Sequence, residues 1–214
     1  MEEVLELYEK PYDPYHPVVC LDEKNKQLLG TIRPDLPVQP GQPRRVDNEY
    51  VRHGTANLFV ILEPLVGLRH LIVTERRTAV DYAQIIRWLV DECYPEADYI
   101  ELVQDNLNTH CQASLYDTFP PEEARRLCRK VRMTYTPKHA SWLNMAEIEL
   151  SVFERNCLGQ KIGDFETLKQ QVAALEKERN ATSAKVNWQF TNAKARNKLQ
   201  HRYPTYLCVC QAKI

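Results

Sequence analysis

No apolar run in this sequence approaches the roughly 18–20 residues that a membrane-spanning helix needs, so a transmembrane role finds no support in it. The opening stretch, MEEVLELYEKPYD, lacks the basic-then-apolar pattern of a secretory signal, which makes the cytoplasm the expected location. Seven cysteines are present, but no Cys-x-x-Cys pair. A zinc site built on Cys208 and Cys210 is an alternative, but structural zinc needs four ligands at recognisable spacing. Scattered cysteines in apolar segments read better as reduced and buried. There is no internal repeat and no low-complexity tract, which excludes solenoids and fibrous chains. Finally, no Asp or Glu follows Glu178.

What is present fits one soluble domain, or a core with an appended arm: 214 residues, 43% hydrophobic and 27% charged, with a net charge of −1. The charge is unevenly placed. Arg179, Lys185, Lys194, Arg196, Lys198, Arg202 and Lys213 form an acid-free tail, with Trp188, Phe190, Tyr203 and Tyr206 interleaved. Such a segment either tracks phosphates or packs its aromatics back on the core.

Residues 1–16 read as a linker-like leader with a short first helix, broken by Pro11 and Pro14. The run PVVCLD at 17–22 is continuously apolar and suits a central strand buried on both faces. Prolines 34, 37, 40 and 43 mark a loop. Strands are expected at 50–62 and 68–76, with Pro64 and Gly67 in the turn between them. The period then becomes helical from Thr78 to Cys93. A strand at 99–104 runs into Asp105, and helices between 108 and 130 should split at Pro120-Pro121. A short strand at 131–135 is followed by helices at 143–157 and 165–178, the last with Asp164 as N-cap. This order predicts an α/β fold with a mixed sheet, antiparallel first and extended by crossovers.

Asp22 and Asp105 both stand where an apolar strand ends, the place where catalytic groups gather in open α/β sheets. Two neighbouring carboxylates repel unless a cation lies between them, and hard oxygen ligands suit Mg²⁺ or Mn²⁺. The plain alternative is an Asp that caps a helix or forms a turn. On the helix after Pro137, the residues Leu143, Ala146, Leu150, Phe153 and Cys157 form an apolar stripe. Glu147 borders it on one side and Glu149 on the other, and the wheel does not choose between them.

The segments VVCLDE, LVQDNLNTH and TPKHASWLNMAEIE resemble the three acidic motifs of DDE transposases in the mariner superfamily, most of all the insertion sequence six-thirty family. The segments NLFVILEPLVGLRHLIVTERRTAVDYA and WQFTNAKARNKLQHRYP extend the likeness over nearly the whole chain. The resemblance implies a ribonuclease H-like, five-stranded mixed sheet flanked by helices, with the catalytic domain over 17–160 and a C-terminal helix and basic arm over 161–214. It implies Asp22, Asp105 and Glu147 as catalytic and metal-holding residues, and it selects Glu147 because the family's acid lies three residues after the Asn, here Asn144. Asn106, His110 and Asn144 match supporting positions, whereas Glu23 points to the other face of its strand.

The activity implied is strand cleavage and strand transfer by phosphoryl transfer with two Mg²⁺ ions, for which Mn²⁺ can substitute. One ion would be shared by Asp22 and Asp105, and the other held by Glu147 and one aspartate. The implied partners are DNA (element ends and target) and a second copy of the chain on that DNA. The family's helix-turn-helix region, which the leader does not resemble, is expected to be missing or separately encoded. Arg125, Arg126, Arg129 and Lys130, together with Lys194, Arg196, Lys198 and Arg202 of the tail, are the expected backbone contacts. Two alternatives stay open: another ribonuclease H-like nuclease without strand transfer, and an inactive transposase-derived binding or dimerisation module.

Overall fold

A computed structural model describes residues 1–33, 36–43, 45 and 47–202 of the chain. Its centre is a five-stranded mixed sheet in the order β3-β2-β1-β4-β5. The strands are β1 (Val18–Thr31), β2 (Tyr50–Glu63), β3 (Leu68–Thr74), β4 (Ile100–Gln104) and β5 (Val131–Tyr135). β2 pairs antiparallel with both β1 and β3, while β1–β4 and β4–β5 are parallel. The antiparallel half is a meander closed by a tight turn at Pro64–Gly67, and the parallel half needs helical crossovers. Gly67 has φ +77, and a Cβ there would lie 2.6 Å from the Ser183 carbonyl oxygen. Only glycine meets both demands.

Both faces of the sheet are covered, which is why β1 begins as an unbroken apolar run. Val18 and Cys20 face one cluster, with α1 (Glu2–Glu9), α5 (Ala146–Phe153), α6 (Phe165–Ala181) and Ala195 of α7 (Asn192–Lys198). Val19 and Leu21 face the other, with α2 (Ala79–Trp88), α3 (Gln112–Thr118) and α4 (Pro121–Lys130). The α3/α4 break falls at Pro120-Pro121, where Pro121 occupies the first helical position and loses no hydrogen bond. Thr78 and Asp81 form a reciprocal capping box on α2, and Asp164 accepts from the Thr167 amide at the start of α6.

Four differences from the sequence reading have physical causes. β1 does not stop near Asp22 but continues to Thr31, pairing there with β2 alone. Those nine residues are largely polar, so the run of apolar residues ended before the strand did. The opening helix is built into the core rather than standing apart, since Val4 and Leu5 are fully buried. The helix expected from Leu143 becomes regular only at Ala146, after a short tight turn at Ser141–Leu143. Lastly, α2 and α5 each end in a widened turn, marked by Tyr94 N–H to Leu89 and Gly159 N–H to Glu154.

Among the described residues, Cys20, Cys93, Cys111, Cys128 and Cys157 are free thiols. Cys208 and Cys210 lie outside the described residues, as do Tyr203, Tyr206 and Lys213. No described helix is long and apolar enough to cross a membrane.

Candidate active site

Parallel pairing aligns Val18 with Glu101 and Cys20 with Val103. Asp22 and Asp105 each lie two residues further on, so they stand level, just past the point where the β1–β4 pairing ends. Neighbouring strands stand about 4.8 Å apart, which brings two acids together through register alone. Asp22 is 9% exposed and accepts from the Glu23 amide at 2.8 Å. Asn144 donates to the Leu21 carbonyl at 2.8 Å and approaches Asp22 Oδ2 at 3.4 Å, tying the start of α5 to the end of the apolar part of β1. Glu147, the second residue of α5, lines the same cleft as Asp22, with Ser151, Glu154 and Arg155.

Burial pushes the Asp22 carboxyl up to about 7, and the charges of Glu147 and Asp105 push the same way, against the Glu23 amide and His110. Acids from the end of β4 and from α5 therefore both act on Asp22 of β1. Asp105 is shifted down instead, first by its hydrogen bond to His110. That imidazole is fully buried, with Nδ1 2.6 Å from Asp105 Oδ1. Burial alone would lower its pKa, but Asp105 and Glu23 outweigh burial and hold it near 9. Asn106 is exposed on the same rim as Asp105, beside Lys138, His139 and Ser141.

The two glutamates left open by the helical wheel have different surroundings. Glu149 is fully buried and paired with Arg69 Nε at 3.1 Å and with Arg179, whose Nε and Nη2 both donate to it. Glu147 is half-buried at the cleft. Glu23 does point to the opposite face of β1, but it is far from idle. Its side chain is 5% exposed, accepts from Arg77 Nη1 at 3.0 Å and lies 3.7 Å from His110 Nε2. Sequence reasoning missed this role because the partners, Arg77 and His110, lie far along the chain.

A family model described as DDE superfamily endonuclease matches residues 17–169. The chain belongs to this family. No curated protein sequence matches it. Among solved structures, the Mos1 transposase paired-end complex with left transposon end superimposes with a TM-score of 0.55 at 17% identity, covering 82% of this chain and 53% of that one. The Mos1 mariner paired-end complex with Mn gives 0.55 at 17% identity over 87% of this chain and 61% of that chain. The Mos1 strand transfer complex gives 0.53 at 16% over 87% and 60%. The DDE endonuclease chain thus has the ribonuclease H-like fold of those transposases and spans little more than half their length.

The basic residues expected to hold DNA are not gathered at this end of the sheet. Arg125, Arg126, Arg129 and Lys130 lie late on α4, where Lys130 donates to the Ala97 carbonyl just before β4. Asp105 is at the opposite end of that strand. Arg126 is further committed to Asp91 and Glu123 at 2.8 and 2.7 Å. In the tail, Arg196 pairs with Glu2 and Lys194 donates to the Gln189 carbonyl, while Lys198 is exposed. Trp188 packs edge-on against Tyr8, and Phe190 against Trp142. Through Lys198 the arm is laid back on the core. The Arg202 side chain lies outside what is described.

The acids present suit a hard divalent cation. All are carboxylates, and no positive partner fully offsets the buried charge of Asp22. Among the described residues, no three His, Cys, Asp or Glu side chains are grouped closely enough to hold a metal ion.

Proposed function

We propose that this chain is the catalytic domain of a transposase, of the insertion sequence six-thirty type, that cuts DNA and joins the freed 3′-end to a target. The observation that carries the reading is the placement of a buried Asp22 level with Asp105 across the β1–β4 pair and in one cleft with Glu147, its carboxyl raised to about 7 first by burial and then by those two charges. A buried carboxylate that lacks a full positive partner, as Asp22 does, carries an electrostatic cost that a divalent cation relieves.

In this reading Asp22 and Asp105 hold one Mg²⁺ or Mn²⁺, and Glu147 with one aspartate holds a second. Bound there, such ions stabilise charge on the phosphoryl oxygens and favour ionised water or a 3′-hydroxyl as nucleophile. The protein's part is orientation. Asn144 secures the β1–α5 junction beside Asp22, and His110 engages Asp105. The Mos1 structures are described as paired-end and strand transfer complexes, which supports DNA as substrate; a second copy of the chain on that DNA belongs to the same proposal.

Nicking of supercoiled plasmid with Mg²⁺ or Mn²⁺, followed by joining of a 3′-hydroxyl oligonucleotide to plasmid, tests the reading. Wild-type chain should do both, and Asp105→Asn or Glu147→Gln neither. Nicking without joining would instead identify a nuclease of the same fold. Absence of both activities, together with no metal binding, would leave an inactive module.

A further inference from the structure

Asp105 follows the last residue of β4 and its side chain is 42% exposed. A carboxylate on a short loop has several rotamers open to it, and something must select one. The loop returns after five residues to bury His110 completely, with Nδ1 2.6 Å from Asp105 Oδ1. The loop itself is held by other means: Gln104 Nε2 and the Tyr135 hydroxyl both donate to the His110 backbone carbonyl, at 3.1 and 2.9 Å. The imidazole is therefore not needed to pin the backbone.

The ring is held on its own account. Tyr82 stacks on it at 4.9 Å between centroids and 30° between planes. Its second nitrogen, Nε2, faces Glu23 Oε2 at 3.7 Å, and Glu23 in turn accepts from Arg77 at 3.0 Å. A guanidinium on Glu23 makes that carboxylate a poor cation ligand, so the Glu23–His110 pair does not read as a metal site of its own. Consecutive residues on β1 thus do different work: Asp22 faces the cleft on one side of the sheet, and Glu23 reaches His110 on the other.

We propose that Glu23 and His110, both buried, are positioning residues, the middle of a chain running from Arg77 to Asp105 that holds the Asp105 carboxylate in the orientation needed to bind a divalent cation. This rests on Asp105 being a metal ligand, as argued above. Partners that orient a ligand in this way are commonly worth 10–100-fold in metal affinity or activity.

The test is Mn²⁺ titration of the full chain without DNA, read by the electron paramagnetic resonance of free Mn²⁺, with thermal melting as the control for folding. His110→Leu should weaken Mn²⁺ binding roughly tenfold or more. His110→Asn, whose amide N–H can stand near the position of Nδ1, should recover most of that loss, and Glu23→Gln should fall between. In plasmid nicking, His110→Leu should raise the Mg²⁺ concentration for half-maximal rate more than it lowers the saturated rate. Wild-type Mn²⁺ binding in His110→Leu would overturn the proposal, as would equal losses in the Leu and Asn variants. If His110→Leu does not fold, Glu23→Gln decides, and unchanged Mn²⁺ binding there overturns the chain. An Asp105→Asn chain that binds Mn²⁺ as wild type does would remove the premise itself, a failure distinct from that of the positioning residues.

Discussion

Two regions of this molecule bury acidic charge, and they treat it in opposite ways. Around Glu149, Arg69 from β3 and Arg179 from α6 close on one carboxylate, so the charge is matched where it lies. Around Asp22, the nearest charges are largely more carboxylates, and its proton affinity climbs. Glu147 and Glu149 are two residues apart on α5, so one short helix serves both regions. A matched cluster holds elements together, whereas an unmatched one is kept at a cost in stability, as expected where binding or chemistry needs it.

The largest effect should come from breaking the unmatched side. Asp22→Asn, Asp105→Asn and Glu147→Gln should each reduce metal-dependent nicking by roughly 100-fold or more while leaving the melting transition in place. Ordinary nicking by any purified variant would contradict the assignment of that residue. On the matched side the effect should appear in stability instead. Glu149→Ala strands Arg69, fully buried, beside Arg179 and should cost about 3–5 kcal/mol, read from urea unfolding. A loss below about 1 kcal/mol would show that the cluster is not the anchor described.

A titration sharpens the same contrast. Asp22 has its folded pKa raised to about 7 from an ordinary 3.8. Between those values the folded state binds more protons than the unfolded one, so this group's contribution to stability is full below about 4 and is lost as pH rises through 7. Metal-free protein should therefore lose melting temperature from pH 4 to pH 7 more steeply than the Asp22→Asn variant. Identical profiles for the two would remove Asp22 as a source of strain. The smallest effect belongs to exposed charge: Arg126→Ala, which breaks pairs with Asp91 and Glu123, should cost about 1 kcal/mol or less. A larger loss would mean that α4 depends on this surface network.

Much of the frame was legible because it is written in short-range patterns. The unbroken apolar run before Asp22, the helical period after Thr78, the proline pair at 120–121 and the Asp164 cap each act within a few residues. The ends of two apolar runs marked Asp22 and Asp105 as candidates. Glu23 was not legible as anything but an outward residue, because what makes it useful is an arginine 54 positions away and a histidine on another loop. The polar half of β1 was hidden for a related reason. Its stability comes from cross-strand pairing with β2, which leaves no apolar period to read.

Local sequence by itself set where most strands and helices begin and which acids follow the apolar runs, since propensity, capping and periodicity are near-neighbour effects. Only the tertiary structure gave Glu147 and Glu149 their different surroundings, sent the α4 arginines to the far end of β4 and laid the basic arm on α1. Each of those outcomes depends on which distant charges and rings meet once the sheet has formed. Chain order alone does not encode that, because partners 30 or more positions apart are brought together only by packing.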